Sequence, residues 1–170
     1  MGILSPVGIG LEENWDNIVA GRSGIGPVTR FDCSNYPSRI AGEVKDFRPE
    51  DYMPQKLVKR LDPFVQLAVA AASMAMEDAD LDLTKQDPHR CGVITGVGLG
   101  GLGTIEFYRD VLVNRGPRRV SPFFIPMAIP NMASGQISIV FGAKGPNTVV
   151  CTACAAGTHA IGEAFKAIQR

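Results

Sequence analysis

From Phe64 to Ala79 a helix would be apolar on almost every side. Phe64, Val65, Leu67, Ala68, Val69, Ala70, Ala71, Ala72, Met74, Ala75 and Met76 leave it no polar face. A helix of that kind has to be covered all round, and its alanines suit close approach to neighbouring elements. Its start is marked by Asp62 and Pro63, an N-cap residue followed by proline at the first helical position. The segment therefore belongs in the middle of a larger α/β body. The 170 residues, 45% apolar and 20% charged, are enough to build a domain with a core.

The remaining pattern alternates helices with short apolar strands, which indicates α/β with a mostly parallel sheet. Leu11, Trp15, Ile18 and Val19 share one face of an amphipathic helix over 11–20, stopped by Gly21. Residues 22–53 are rich in Gly and Pro and read as an irregular excursion with a strand near 40–44. A short basic helix fits 55–61. A buried strand fits 91–95, a helix 104–114 closed by Gly116-Pro117, and an apolar loop with three prolines 121–130. Asn131 is placed to cap a helix running to about Phe141. A strand over 147–151 and a helix from Cys154 onward complete the chain.

The chemistry concentrates at that last junction. Thr148, Val149 and Val150 form a β-branched strand that runs into a turn of small residues, Ala153, Cys154, Ala155, Ala156 and Gly157. A cysteine between strand and helix lies near the free N–H groups and positive end of the helix dipole, which favour the thiolate. That is the arrangement of a nucleophile elbow with cysteine in place of serine. The same local chemistry also suits a small buried hydrophobe, so both readings stand at this level.

The other cysteines narrow the choice. Cys33, Cys91, Cys151 and Cys154 do not make a disulfide framework in a chain of this length, and reduced cysteines fit a cytoplasmic location. Cys151-x-x-Cys154 comes late for a thioredoxin-like redox motif, and a zinc site would need a second pair that isolated Cys33 and Cys91 do not supply. His89 falls in a polar loop. His159, five residues beyond Cys154 on one helix, is about 140° round from it, which argues against a Cys–His pair. It fits a packing or hydrogen-bonding role.

Gly96-x-Gly98-x-x-Gly101 follows a strand and resembles a dinucleotide fingerprint, but no acid closes a second strand about twenty residues on. A tight turn, or a glycine loop lying against an active site, are the alternatives. Net charge is zero, with no basic stripe interleaved with aromatics, so nucleic-acid binding has no support. No apolar run reaches the length of a membrane span, and Glu12, Glu13, Trp15 and Asp16 do not suit a signal-peptide core.

Several stretches together carry a family signature. They are Gly2–Gly8, Lys59–Phe64, Gly96–Gly103, Ser121–Pro126, Asn131-Met132, Gly145–Asn147 and Cys151–Gly157. In order along the whole chain, they resemble the N-terminal half of a β-ketoacyl-[acyl carrier protein] synthase of the type II elongating class. The resemblance implies a thiolase-like α/β fold, with residues 1–170 as a partial N-terminal domain. The family's first strand and C-terminal half would lie outside these residues.

The resemblance also implies roles. Cys154 would accept the acyl group, with its backbone N–H as half of the oxyanion hole. Leu99 would gate the bottom of the acyl pocket, and Phe124 would reach across a homodimer interface toward the partner's acyl chain. Lys56, Lys59 and Arg60 would meet the acidic acyl carrier protein, although without the resemblance they read as a solvated helix face. The strand over 147–151 would pair with its twin in the homodimer. The substrates would be acyl and malonyl thioesters, and no organic cofactor or metal would be needed.

Condensation in this family uses two histidines and a lysine of the C-terminal half. His89 and His159 stand at other positions, so the 170 residues alone are expected not to complete it. The alternatives are a non-catalytic half-protein that binds carrier protein or a partner subunit, and a nucleotide-binding domain built on the glycine loop.

Overall fold

The centre of the computed structural model, which describes residues 1–170, is a parallel pair of strands. Strand β5 (Val93–Gly96) lies beside β6 (Asn147–Val150) with Val93 opposite Asn147 and Gly96 opposite Val150. Parallel strands need a long crossover. Here it is made by α4 (Leu102–Arg115), α5 (Phe124–Ala128) and α6 (Met132–Phe141). Helix α6 returns to pack on both strands, and α7 (Ala156–Gln169) packs on them as well. Helix α3 (Pro63–Asp78) packs against α6.

The N-terminal part is built from two small antiparallel pairs. Strands β1 (Leu4–Ser5) and β2 (Gly8–Ile9) form a hairpin beneath α1 (Leu11–Val19). Strands β3 (Ile25–Pro27) and β4 (Ile40–Gly42) frame the Gly/Pro-rich excursion. Beside them the Thr29 hydroxyl, at 2.6 Å, and the Thr29 N–H, at 3.1 Å, donate to Glu43. They hold its carboxyl below the usual carboxylate range. Short helix α2 (Gln55–Val58) leads into α3, and the Gln66 amide donates to the carbonyls of Val58 and Leu61 to fix that junction.

Helix α3 starts where Asp62 and Pro63 place it. The Asp62 carboxylate accepts from the Phe64 N–H at 3.2 Å, and its second oxygen accepts from Thr104 Oγ1 at 2.6 Å. One aspartate, 7% exposed, therefore ties the first turn of α3 to the first turn of α4. Met53, Leu61, Val65 and Val69 form the fully enclosed cluster, flanked by Phe64, Met132 and Ile137. The expectation of a helix buried all round holds only in part. Val65, Val69 and Ala70 are buried, whereas Leu67, Met74 and Met76 are half-covered.

Other expectations shift. Helix α1 forms, but its apolar residues Leu11, Trp15, Ile18 and Val19 face outward. Its inward side is polar because Asn14, 2% exposed, donates to the carbonyls of Gly8 and Gly10 and accepts from Ser5 Oγ. The proline-rich loop contains a helical turn and a half, α5. Asn131 precedes α6 without a side-chain cap, and its carbonyl accepts from Ser134 Oγ instead. The last helix begins at Ala156. Cys154 lies in the 3-10 turn (Ala153–Ala155) that precedes it.

Replacing Asp62 with alanine removes a helix cap and a cross-helix hydrogen bond together. The expected loss of unfolding free energy is about 2 kcal/mol by urea titration, against about 1 kcal/mol for Thr104→Val.

Candidate active site at the strand-to-helix elbow

The elbow is built from strand β6 outward. Asn147, the first residue of β6, is clasped by α6. Its side-chain oxygen accepts from Ser134 Oγ at 2.9 Å, and its amide donates to the Ser134 carbonyl at 3.0 Å. Ser134 is wholly buried, so this clasp fixes the root of the strand. Past Val150 the chain leaves the sheet. Ala153 takes φ +49, a left-handed conformation costly for a residue with a Cβ. Cys154 follows with its side chain exposed, and the Ala155 N–H donates to the Thr152 carbonyl at 3.1 Å to close the turn. Thr152 Oγ1 and His159 Nδ1 are hydrogen-bonded at 2.8 Å.

Backbone-to-backbone contact seats this turn on the sheet. A Cβ at Gly96 would stand 2.3 Å from the carbonyl carbon and oxygen of Ala156. No side chain fits there, and the absence of one lets the N-terminus of α7 rest on the end of β5. The Val97 N–H continues the strand pairing to the Val150 carbonyl at 3.0 Å. Farther along the same loop, Cβ atoms at Gly100 and Gly101 would each come within 2.6 Å of a carbonyl of α5, Ala128 and Met127 respectively. The glycine loop is thus wedged between α7 on one side and α5 on the other. Three of the stretches singled out in the sequence meet through their backbones.

This packing answers the dinucleotide question. The Gly101 N–H at the start of α4 donates to the Ala128 carbonyl at 3.0 Å, so it is not free for a phosphate. The carbonyls of Met127 and Ala128 facing the loop would repel one. Cys151 and Cys154 gather no third metal-type ligand around them, and all four cysteines are free thiols.

The remaining candidate residues are distributed around the elbow. Leu99 lies on the glycine loop and is 76% exposed. Phe124 opens α5 and packs its ring 5.1 Å from that of Tyr108 on α4. Lys56, Lys59 and Arg60 are exposed at and just after α2, and none is paired with a carboxylate. Arg60 lies over the Phe123 ring at 4.7 Å, which ties the basic segment to the Ser121–Pro126 stretch. A cleft of about 540 Å³ between α3 and α4 is lined by Phe64, Leu67, Leu102, Phe107, Tyr108 and Met127, and neither Leu99 nor Cys154 lines it. His89 sits exposed in a separate turn, and His159 makes no hydrogen bond to Cys154.

Sequence reasoning assigned His159 a packing or hydrogen-bonding role without a partner, which Thr152 supplies, and it assigned nothing to Asn147 or Ser134. Asn147 stood within a recognised stretch. For His159 the available signal was its place in the first turn of a helix, from which side chains lean back toward the N-terminus.

The fold is α/β, and it presents the Cys154 thiol at a strained strand-to-helix elbow. Residues 1–170 match the family model of the β-ketoacyl synthase N-terminal domain along their full length, and the chain belongs to that family. It is 49% identical over 170 residues to 3-oxoacyl-[acyl-carrier-protein] synthase 2 of Staphylococcus aureus, covering all of this chain and 42% of that protein. It is 46% identical over 169 residues to the protein of the same name from Synechocystis sp., covering 99% of this chain and 41% of that one.

Among solved structures, the ishigamide ketosynthase/chain length factor superposes with a TM-score of 0.87 at 30% identity, over 98% of this chain and 42% of that one. A β-ketoacyl synthase from Burkholderia phymatum shares the fold with a TM-score of 0.80 at 22% identity, over 99% of this chain and 42% of that one. The fold is thiolase-like α/β. The chain spans about two fifths of the length of the curated relatives it matches.

Gly96→Ala places a methyl group against the Ala156 backbone. It should cost about 3 kcal/mol in urea unfolding and change the alkylation rate of Cys154. Gly98→Ala, with nothing within 4 Å of the added Cβ, should cost under about 1 kcal/mol and leave that rate unchanged.

Proposed function

We propose that this chain carries the acyl-accepting part of a 3-oxoacyl-[acyl carrier protein] synthase acting in fatty acid elongation, with Cys154 as the nucleophile. The observation that carries the reading is the exposed thiol at the Ala153 elbow in a member of the β-ketoacyl synthase family. In the first half-reaction the Cys154 sulfur attacks the carbonyl carbon of an acyl thioester. A new C–S bond forms and the carrier's thiol leaves with the proton. The Cys154 N–H is one donor to the oxyanion that develops. In the second half-reaction malonyl-carrier protein loses carbon dioxide. The electron pair released forms a C–C bond to the acyl carbon, and the Cys154 sulfur is expelled.

Residues 1–170 act in this reading as one partial domain. Leu99 and Phe124 contact the acyl chain, and Lys56, Lys59 and Arg60 receive the acyl carrier protein. Support for the last role comes from three unpaired cations on one exposed segment, anchored by Arg60 on Phe123. Among the proteins that share the fold, one is a ketosynthase in complex with a type II PKS acyl-carrier protein. The full enzyme works as a cytoplasmic homodimer, and β6 pairs with its twin there. The histidines that assist decarboxylation are neither His89, in a separate turn, nor His159, engaged by Thr152. A non-catalytic carrier-binding role is the second reading, favoured by the same three cations.

The deciding experiment is intact mass spectrometry after incubation with an acyl thioester. A single acyl adduct is expected on the wild-type chain, retained in Cys151→Ala and absent in Cys154→Ala. Equal loss in both variants contradicts the choice of nucleophile. Absence of any adduct, with carrier protein still retained on a column, favours the non-catalytic reading. Changing Lys56, Lys59 and Arg60 together to glutamate should weaken carrier retention at least about tenfold, with the effect shrinking at high salt.

A further inference from the structure

Ala153 persists at φ +49 only because its surroundings hold it there. Three contacts bear on that turn. Ala156 rests on the bare backbone of Gly96. The Ala155 N–H donates to the Thr152 carbonyl. The third contact is the side-chain bond of 2.8 Å between Thr152 Oγ1 and His159 Nδ1. The first two seat the helix and close the turn. Only the third joins the residue entering the elbow to the body of α7.

We propose that His159 is a positioning residue: through Thr152 it locks the strained Ala153 elbow and thereby fixes how the Cys154 thiol is presented. The inference rests on the reading of Cys154 as nucleophile. His159 is the fourth residue of α7, and a helical side chain leans toward the N-terminus. Its imidazole therefore reaches back across the turn to the residue before it. The bracket so formed runs from Thr152 to His159 and encloses Ala153, Cys154 and Ala155.

A threonine hydroxyl can donate to a bare Nδ1 or accept from Nδ1–H, so the bracket holds in either tautomer of the ring. His159 does not bond to the sulfur. It acts through geometry and not as the base. The small residues around Cys154 explain why such a device is needed. Alanine and glycine leave the thiol open to substrate, but they supply no side-chain contacts to hold the turn.

The test compares two thiols of the intact protein. Cys151 and Cys154 are both exposed and fall in one tryptic peptide, Gly145–Lys166. Their alkylation rates with iodoacetamide give a ratio in which Cys151 serves as internal reference. Cys154 is expected to react faster in the wild type. Thr152→Val and His159→Leu should each lower the ratio about fivefold, in keeping with loss of one hydrogen bond. The double variant should be no lower than either single one, since both remove the same contact. Thr152→Ser and His159→Asn, which can restore the bond, should return the ratio to within about twofold of wild type. Thermal melts establish that each ratio is read on folded protein.

A selective wild type whose ratio survives Thr152→Val and His159→Leu overturns the positioning role and leaves the nucleophile reading intact. Loss of the ratio in Thr152→Ser equal to that in Thr152→Val also overturns it, because the hydroxyl would then not be the cause. A wild-type ratio near one overturns the positioning role and the nucleophile reading together.

Discussion

Everything at the elbow depends on one close approach, the seat of α7 on the end of β5 at Gly96. The contact is backbone on backbone. A methyl group there would lie 2.3 Å from the Ala156 carbonyl, far inside van der Waals contact. Because α7 starts at that point, the turn before it has to complete the descent from β6 within a few residues. A left-handed Ala153 is how the chain does so.

Polar clasps fix the elements that carry this seat. Asp62 joins α3 to α4, and Asn147 joins β6 to α6 through buried Ser134. Asn14 joins α1 to the first hairpin. In each case a buried polar side chain satisfies groups on a neighbouring element that would otherwise be costly to bury. Within residues 1–170 the enclosed apolar cluster is Met53, Leu61, Val65 and Val69, and the clasps tie the surrounding elements to it. Packing is concentrated around α3 and α6, and directional bonds set the geometry elsewhere.

Much of this was legible beforehand where local chemistry decides it. Asp62-Pro63 marked the start of α3 because an N-cap side chain and a fixed φ act within one turn. The β-branched run before Cys154 marked β6, and the small residues after it marked the elbow. Other features were not legible. The apolar stripe of α1 is exposed, and it is Asn14 that binds the helix to carbonyls of a hairpin that periodicity does not register. The 121–130 stretch was read as a loop because its prolines obscured five helical residues between Phe124 and Ala128. Leu99 and Phe124 were named together, yet one stands exposed on the glycine loop while the other packs on Tyr108.

The sequence by itself determined the main helices and the two central strands, the position of the thiol between strand and helix, and membership of a β-ketoacyl synthase family. Those depend on residue identity and on spacing within a few turns of chain. Only the tertiary structure decided that the glycine loop serves to receive α7 and α5 and not a phosphate. It also decided that the partner of His159 is Thr152, and that Asn147 anchors its strand to α6. Each of these depends on which backbones approach across the fold. Glycine and hydrogen-bonding side chains permit many partners, and packing selects among them.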